Sequence, residues 1–317
     1  MSLYPDIQPF KTGHLKLSDG HTMYYEQSGN PKGVPVLMLH GGPGGGISDK
    51  HRRSADPIRC HIIAFDQRGC GKSKPLGRLQ NNTAHHLVAD IEKLRHHLGI
   101  QSWIVMGYSW GCALGLAYAE AYPSRVLGLV VCGAYLGTSR ENAWFEGPNG
   151  VARFHPVAYR QMCESVGAPD GKHVMAKLLK TLQGKDKTKA KNACSAWSRY
   201  ALACCEPVPN LMEIEEAVTP TPAAMAMNLV GAHYHSQGCF LAPNQLLNNI
   251  SKIAHIPLHI VQGALDMVCP PESALALHAA HPISRLYWVE LCGHRANAAG
   301  QKARVKAVKD MLRKISG

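Results

Sequence analysis

The sequence predicts an α/β fold: a mostly parallel sheet with helices on both faces, interrupted by one inserted helical segment. Three observations carry this reading. Short, largely apolar runs recur at 34–40, 60–66, 102–107, 126–133, 256–263 and 285–291. Strands of a parallel sheet read this way because crossover helices bury both of its faces. Segments with apolar residues at helical spacing lie between the runs, at 85–99 and 110–122. From about 140 to about 240 the alternation stops, and the chain becomes helical and irregular, rich in Lys, Ala, Met and Trp.

Taken in order, residues 13–30 alternate apolar and polar around Ser18-Asp19-Gly20, which predicts a hairpin. The run VPVLMLH (34–40) stops at the glycine-rich stretch HGGPGGG (40–46), and CHIIAFD (60–66) stops at QRGCGKS. The helix over 85–99 ends at Gly99, and the one beginning at Trp110 ends before Pro123. After the insertion the strand pattern returns at IPLHIVQG (256–263) and RLYWVEL (285–291), followed by a last helix over 299–315. The economical division is a core of 1–139 and 241–317, with 140–240 inserted as a helical cap. In open sheets of this class ligands bind beyond the carboxyl ends of the strands, so a cap placed there forms a lid.

Composition removes several function classes. The chain has 317 residues, 45% hydrophobic and 18% charged, a balance that suits one packed core and not a disordered chain. No apolar run approaches the roughly 18 residues that span a bilayer, so no membrane partner is expected. The first twenty residues hold no apolar h-region, which points to a cytoplasmic protein. Eleven scattered cysteines read as free thiols.

The net charge of +12 sits largely in two clusters, Lys172 to Lys191 and Lys302 to Lys314. Neither is interleaved with aromatics that could stack on bases, so both read as solvated helix faces and no nucleic-acid partner is expected. Histidines crowd at 85–86, 96–97 and 233–235, yet no HExxH or CxxC spacing accompanies them. No metal is expected.

The chemistry-bearing signal is Gly107-Tyr108-Ser109-Trp110-Gly111, which matches GxSxG between a buried strand and a helix. A strained strand-to-helix turn presents the serine oxygen above the sheet edge, at the positive end of the helix dipole. A serine hydroxyl needs an adjacent base. Asp266 follows strand 256–263 and His294 follows strand 285–291, in the chain order serine, acid, histidine that this fold uses. The pattern is that of an α/β-hydrolase core in which His294 moves the serine proton and Asp266 orients the imidazole. The oxyanion requires fixed donors, for which the backbone N–H groups of Trp110 and Gly42 are the candidates. The aromatics Phe145, Trp197 and Tyr200 of the insertion are candidates for a substrate pocket. They are equally suited to forming the core of the cap itself.

These residues resemble those of the proline iminopeptidases over nearly the whole chain. The resemblance rests on Tyr25-Glu26-Gln27 with Gly29-Asn30-Pro31, and on His40-Gly41-Gly42-Pro43-Gly44-Gly45-Gly46. It extends through Asp66-Gln67-Arg68-Gly69-Cys70-Gly71-Lys72-Ser73, the elbow Ser109-Trp110-Gly111, and Asp266 through Pro270. It implies a hydrolase core with a helical cap, no cofactor, and release of an N-terminal proline from small peptides. Ser109, Asp266 and His294 fall on the family's triad positions, and Gly42 and Trp110 on its oxyanion positions.

One departure bears on substrate. The family holds the free amino end with cap glutamates, and the matching positions here are Ala201 and Gly231, with Glu146, Glu206 or the group Glu213, Glu215 and Glu216 as candidates to replace them. A semi-buried ammonium needs a compensating charge. The sequence therefore leaves two hydrolase readings open, a prolyl aminopeptidase and an esterase, lactonase or amidase whose substrate lacks a free amine. In either case the partner is a small molecule or short peptide. A non-catalytic binding protein is disfavoured, because binding alone has no need of serine, acid and histidine together.

Overall fold

The computed structural model describes residues 2–316, apart from the side chain of Ser316. Eight strands form one sheet: β1 Lys11–Lys16, β2 Thr22–Gly29, β3 Val34–Leu39, β4 Cys60–Phe65, β5 Trp103–Tyr108, β6 Val126–Cys132, β7 Leu258–Gly263 and β8 Arg285–Val289. Their order across the sheet is β1-β2-β4-β3-β5-β6-β7-β8. The β1–β2 hairpin and its junction with β4 are antiparallel, and every later pairing is parallel. The hairpin turn is set by Asp19 and Gly20, both at positive φ (60° and 73°), a conformation that Asp, Asn and Gly accept at least cost.

Twelve helices complete the chain among the described residues: α1 Asp49–Arg52, α2 Ala84–His97, α3 Trp110–Ala121, α4 Ser139–Glu146, α5 Pro156–Ser165, α6 Val174–Gln183, α7 Lys187–Ala203, α8 Leu211–Ala217, α9 Pro222–His235, α10 Gln245–Asn248, α11 Pro271–Ala280 and α12 Ala298–Ser316. Each parallel strand sends alternate residues to opposite faces. Leu37, Leu39, Ile63, Phe65 and Val105 meet α2 and α3 on one side. Val36, Met38, Ile62, Ala64, Ile104 and Met106 meet α12 on the other. This two-sided burial explains why these strands read as unbroken apolar runs.

Helices α4 to α10 all fall between β6 and β7, and most of them share a separate core. Phe145, Met162, Leu178, Trp197, Tyr200 and Ala232 lie in it, apart from the two sheet-face clusters. Sharp caps delimit its elements. Thr138 and Glu141 exchange capping bonds at the start of α4, Asp186 accepts from Lys189 N at the start of α7, and Thr221 opens α9. Each such cap satisfies N–H groups that a helix cannot pair internally.

The motif from Asp66 to Ser73 has a structural task. Asp66 accepts from the N–H of Ile47 (2.8 Å) and of Lys72 (2.7 Å), which fastens the glycine-rich loop after β3 to the loop after β4. Arg68 makes a two-pronged bond with Asp90 of α2 at 2.5 and 2.7 Å. Both side chains are buried, so this is a desolvated pair in which each charge depends on the other.

Candidate active site

Ser109 stands between β5 and α3 with φ 54° and ψ −122°, a conformation that costs an ordinary residue on the order of 1–3 kcal/mol. The surroundings enforce it. Ser109 N donates to Cys132 O at 3.0 Å, tying the turn to the end of β6. A Cβ at Gly107 would run into the carbonyl oxygen of Gly111, and one at Gly111 would run into that of Leu39. The two glycines of GxSxG are thus required by close backbone approach. Trp110 occupies the first helical position, where the N–H has no intrahelical acceptor.

His294 Nδ1 lies 2.9 and 3.1 Å from the two carboxylate oxygens of Asp266. Asp266 is held in turn, since its Oδ1 accepts from the N–H of Val268 (3.0 Å) and Cys269 (2.8 Å). Ser109 and His294 line one cavity of about 550 Å³, while Asp266 stays behind the imidazole. No hydrogen bond joins Ser109 Oγ to His294 among the described residues. The hydroxyl has Cys269 Sγ at 3.8 Å instead, and burial raises that thiol well above the usual range, which leaves it protonated. Serine–histidine contacts in hydrolases are commonly loose before substrate binds.

The glycine-rich loop is locked to the elbow through side chains. Gln67 N donates to His40 Nε2 at 3.0 Å, Gln67 Nε2 donates to His40 O at 2.9 Å, and Trp110 Nε1 donates to Gln67 Oε1 at 2.9 Å. Because Nε2 of His40 is an acceptor, its proton sits on Nδ1, which donates to Gly41 O at 2.9 Å. Burial lowers the His40 pKa and keeps the ring neutral. The N–H groups of Gly42 and Trp110 consequently sit on one braced unit. Sequence reasoning nominated Gly42 and Trp110 but missed the Gln67–His40 brace, whose members lie 27 residues apart in two separate motifs.

His51 also lines the cavity, its ring edge-on to Tyr108 at 5.0 Å. Part of its edge is open to the cavity, but the enclosing protein holds its pKa down to about 3. For both His40 and His51 the folded pKa lies below the unfolded one. The unfolded chain therefore takes up a proton that the native state refuses, and stability is full above about pH 6.5 and declines as pH falls below it. Each such histidine removes up to about 1.4 kcal/mol per pH unit in that window. Urea midpoints measured at pH 7.5 and 5.5 are expected to fall with pH. Equal midpoints would contradict the buried, neutral state of these rings.

Of the three aromatics nominated from the sequence, Phe145 and Trp197 line the cavity. Tyr200 does not. It is fully buried and donates to Phe145 O at 2.8 Å, which makes it a support behind the wall. The reason is helical phase. Trp197, Ser198, Ala201 and Leu202 of α7 face the cavity, as residues spaced i, i+1, i+4 and i+5 do, and position 200 falls outside that stripe. Ala201 and Gly231, the positions without a glutamate, also line the cavity. Among the described residues no Asp or Glu contributes to its wall.

No described helix is long and apolar enough to cross a membrane. Comparison with known proteins agrees with the geometry. Residues 34–298 match the family described as the alpha/beta hydrolase fold. A proline iminopeptidase of Arabidopsis thaliana is 39% identical over 318 residues, covering 100% of this chain and 83% of that protein. A probable proline iminopeptidase of Leptolyngbya boryana is 42% identical, covering 94% and 92%. One from Neisseria meningitidis serogroup B is 40% identical, covering 98% and 99%. Among solved structures, a proline iminopeptidase-related protein from Thermus thermophilus superposes with a TM-score of 0.64 at 17% identity, covering 98% and 99%. An esterase from Rhodococcus superposes with 0.61 at 19%, covering 96% and 98%. At those identities the structures speak for the fold alone. An elbow serine, a paired acid and histidine at the sheet edge, and full-length relatives at about two-fifths identity converge, and the chain belongs to the proline iminopeptidases of the alpha/beta hydrolase fold.

Proposed function

We propose that this protein is a serine hydrolase that releases N-terminal proline from short peptides through an acyl-enzyme on Ser109. In this reading His294 takes the Ser109 proton as the oxygen attacks the prolyl carbonyl. It then returns the proton to the departing amine. Asp266 fixes the ring with its proton on Nδ1 and stabilises the imidazolium that forms. The N–H groups of Gly42 and Trp110 receive the oxyanion. Residues 140–240 act as the cap that encloses the acyl group, and Phe145 and Trp197 give it an apolar wall suited to a pyrrolidine ring. The eleven free thiols suit a reducing, cytoplasmic setting.

The observation that carries the reading is the Asp266–His294 pair opening onto the same cavity as the strained Ser109. The proline iminopeptidase relatives supply the substrate class. One observation favours a second reading. A cavity wall without carboxylates suits an ester, lactone or amide that has no free amine. Turnover of L-proline p-nitroanilide and of p-nitrophenyl acetate separates the two. The aminopeptidase is expected to cleave the anilide with the higher kcat/KM. Ester turnover with no anilide turnover would establish the second reading.

A further inference from the structure

The cavity presents no carboxylate of its own, yet one stands directly behind its wall. Glu146, the last residue of α4, places Oε1 2.8 Å from Nδ1 of His235, the last residue of α9. The side chains are only 17% and 10% exposed. The contact is an ion-pair approach, and neither Glu146 Oε1 nor His235 Nδ1 has a hydrogen-bond partner among the described residues. His235 itself lines the cavity. It lies one helical turn beyond Gly231 on the same face of α9, since residues four apart stack on one side of a helix.

With Nδ1 beside the carboxylate, Nε2 is the ring nitrogen left for a ligand, and in the neutral ring with its proton on Nδ1 that atom is an acceptor. The pair then carries one negative charge, that of Glu146. The site can therefore compensate a cation at Nε2. The neighbourhood suits a cation with an apolar body. The Phe145 and Tyr135 rings each lie 6.5 Å from the His235 ring, and Phe145 packs edge-on against Trp197 at 5.6 Å. Aromatic faces of this kind attract ammonium groups.

We propose that His235, backed by Glu146, is the amine-binding group of the cavity. Its Nε2 accepts a hydrogen bond from the substrate's terminal secondary ammonium, and the imidazole passes the charge of Glu146 forward. The inference rests on the aminopeptidase reading, but it concerns binding and is tested without turnover. A site that lacks carboxylates at positions 201 and 231 thereby regains the needed charge from one layer further out.

Isothermal calorimetry on the Ser109→Ala protein, titrated with L-prolinamide and with N-acetyl-L-prolinamide, reads the effect. The free amine is expected to bind about 10- to 100-fold more tightly, as one charged hydrogen bond provides. Adding His235→Phe, which keeps an aromatic ring in place, is expected to reduce that preference to within about twofold of unity. Adding Glu146→Gln, which keeps the shape and removes the charge, is expected to reduce it in part. Equal binding of the two amides by the Ser109→Ala protein, or a preference that survives both second substitutions, would overturn the proposal. If Ser109→Ala shows the preference and loses it with the second substitutions, while the wild type does not hydrolyse L-proline p-nitroanilide, the dyad stands and the aminopeptidase reading falls instead.

Discussion

Replacing Ser109 by Ala is expected to lower kcat by about 10⁴-fold or more on whichever substrate the wild type prefers. His294→Ala should cost about as much, and the double substitution little more than either alone, because residues that act as a unit are not additive. Asp266→Asn is the more informative change. Asp266 Oδ1 accepts two backbone N–H groups, so an asparagine would keep its carbonyl oxygen there and turn its NH₂ toward His294. That would force the imidazole into the tautomer with its proton on Nε2, where no lone pair remains for the serine proton. A loss on the order of 10⁴ in kcat with little change in KM is the expected result. Steady-state kinetics of the three variants checks it, and a loss of under tenfold for Ser109→Ala would contradict the role of the hydroxyl.

Severing the buried Arg68–Asp90 pair should be the most damaging single change to stability away from the site. Asp90→Ala strands a guanidinium that is almost wholly buried and, among the described residues, otherwise bonded only to Asn81 O, Ser18 Oγ and the distant carboxylate of Asp19. An uncompensated buried charge costs about 3–5 kcal/mol. Replacing both residues by apolar ones of similar volume should recover much of that loss, since neither desolvation term then remains. Urea unfolding of the single and double variants distinguishes this from a simple packing defect, in which the two losses would add.

The core was legible because it repeats one physical pattern. A strand buried on both faces has no polar position to spare, so β3, β4 and β5 announce themselves as continuous apolar runs. The elbow was legible because backbone crowding at Gly107 and Gly111 admits no other residue. The contact between Asp266 and His294 was legible because each lies in the loop just beyond a strand, at the carboxyl edge where Ser109 also stands.

What stayed hidden depends on contacts between residues distant in the chain. Nothing near Gln67 signals that it would bridge His40 and Trp110. Glu146 was one of several glutamates that the sequence offered, but nothing in it paired that residue with His235, which lies far along the chain. Tyr200 was a matter of phase. Once α7 is taken as one helix, Trp197 and Ala201 share a face that excludes position 200, and the apolar composition of the segment gave no sign of which face would be inward. Cys269 beside the Ser109 hydroxyl had no signal of its own.

The central claim, a serine hydroxyl made nucleophilic by His294 and Asp266, is tested most directly by labelling the intact protein with a fluorophosphonate and mapping the adduct by peptide mass spectrometry. A single adduct on the peptide containing Ser109, formed at least about a hundredfold more slowly in His294→Ala, is the expected outcome. Labelling at another residue, or at Ser109 with an undiminished rate in His294→Ala, would contradict it.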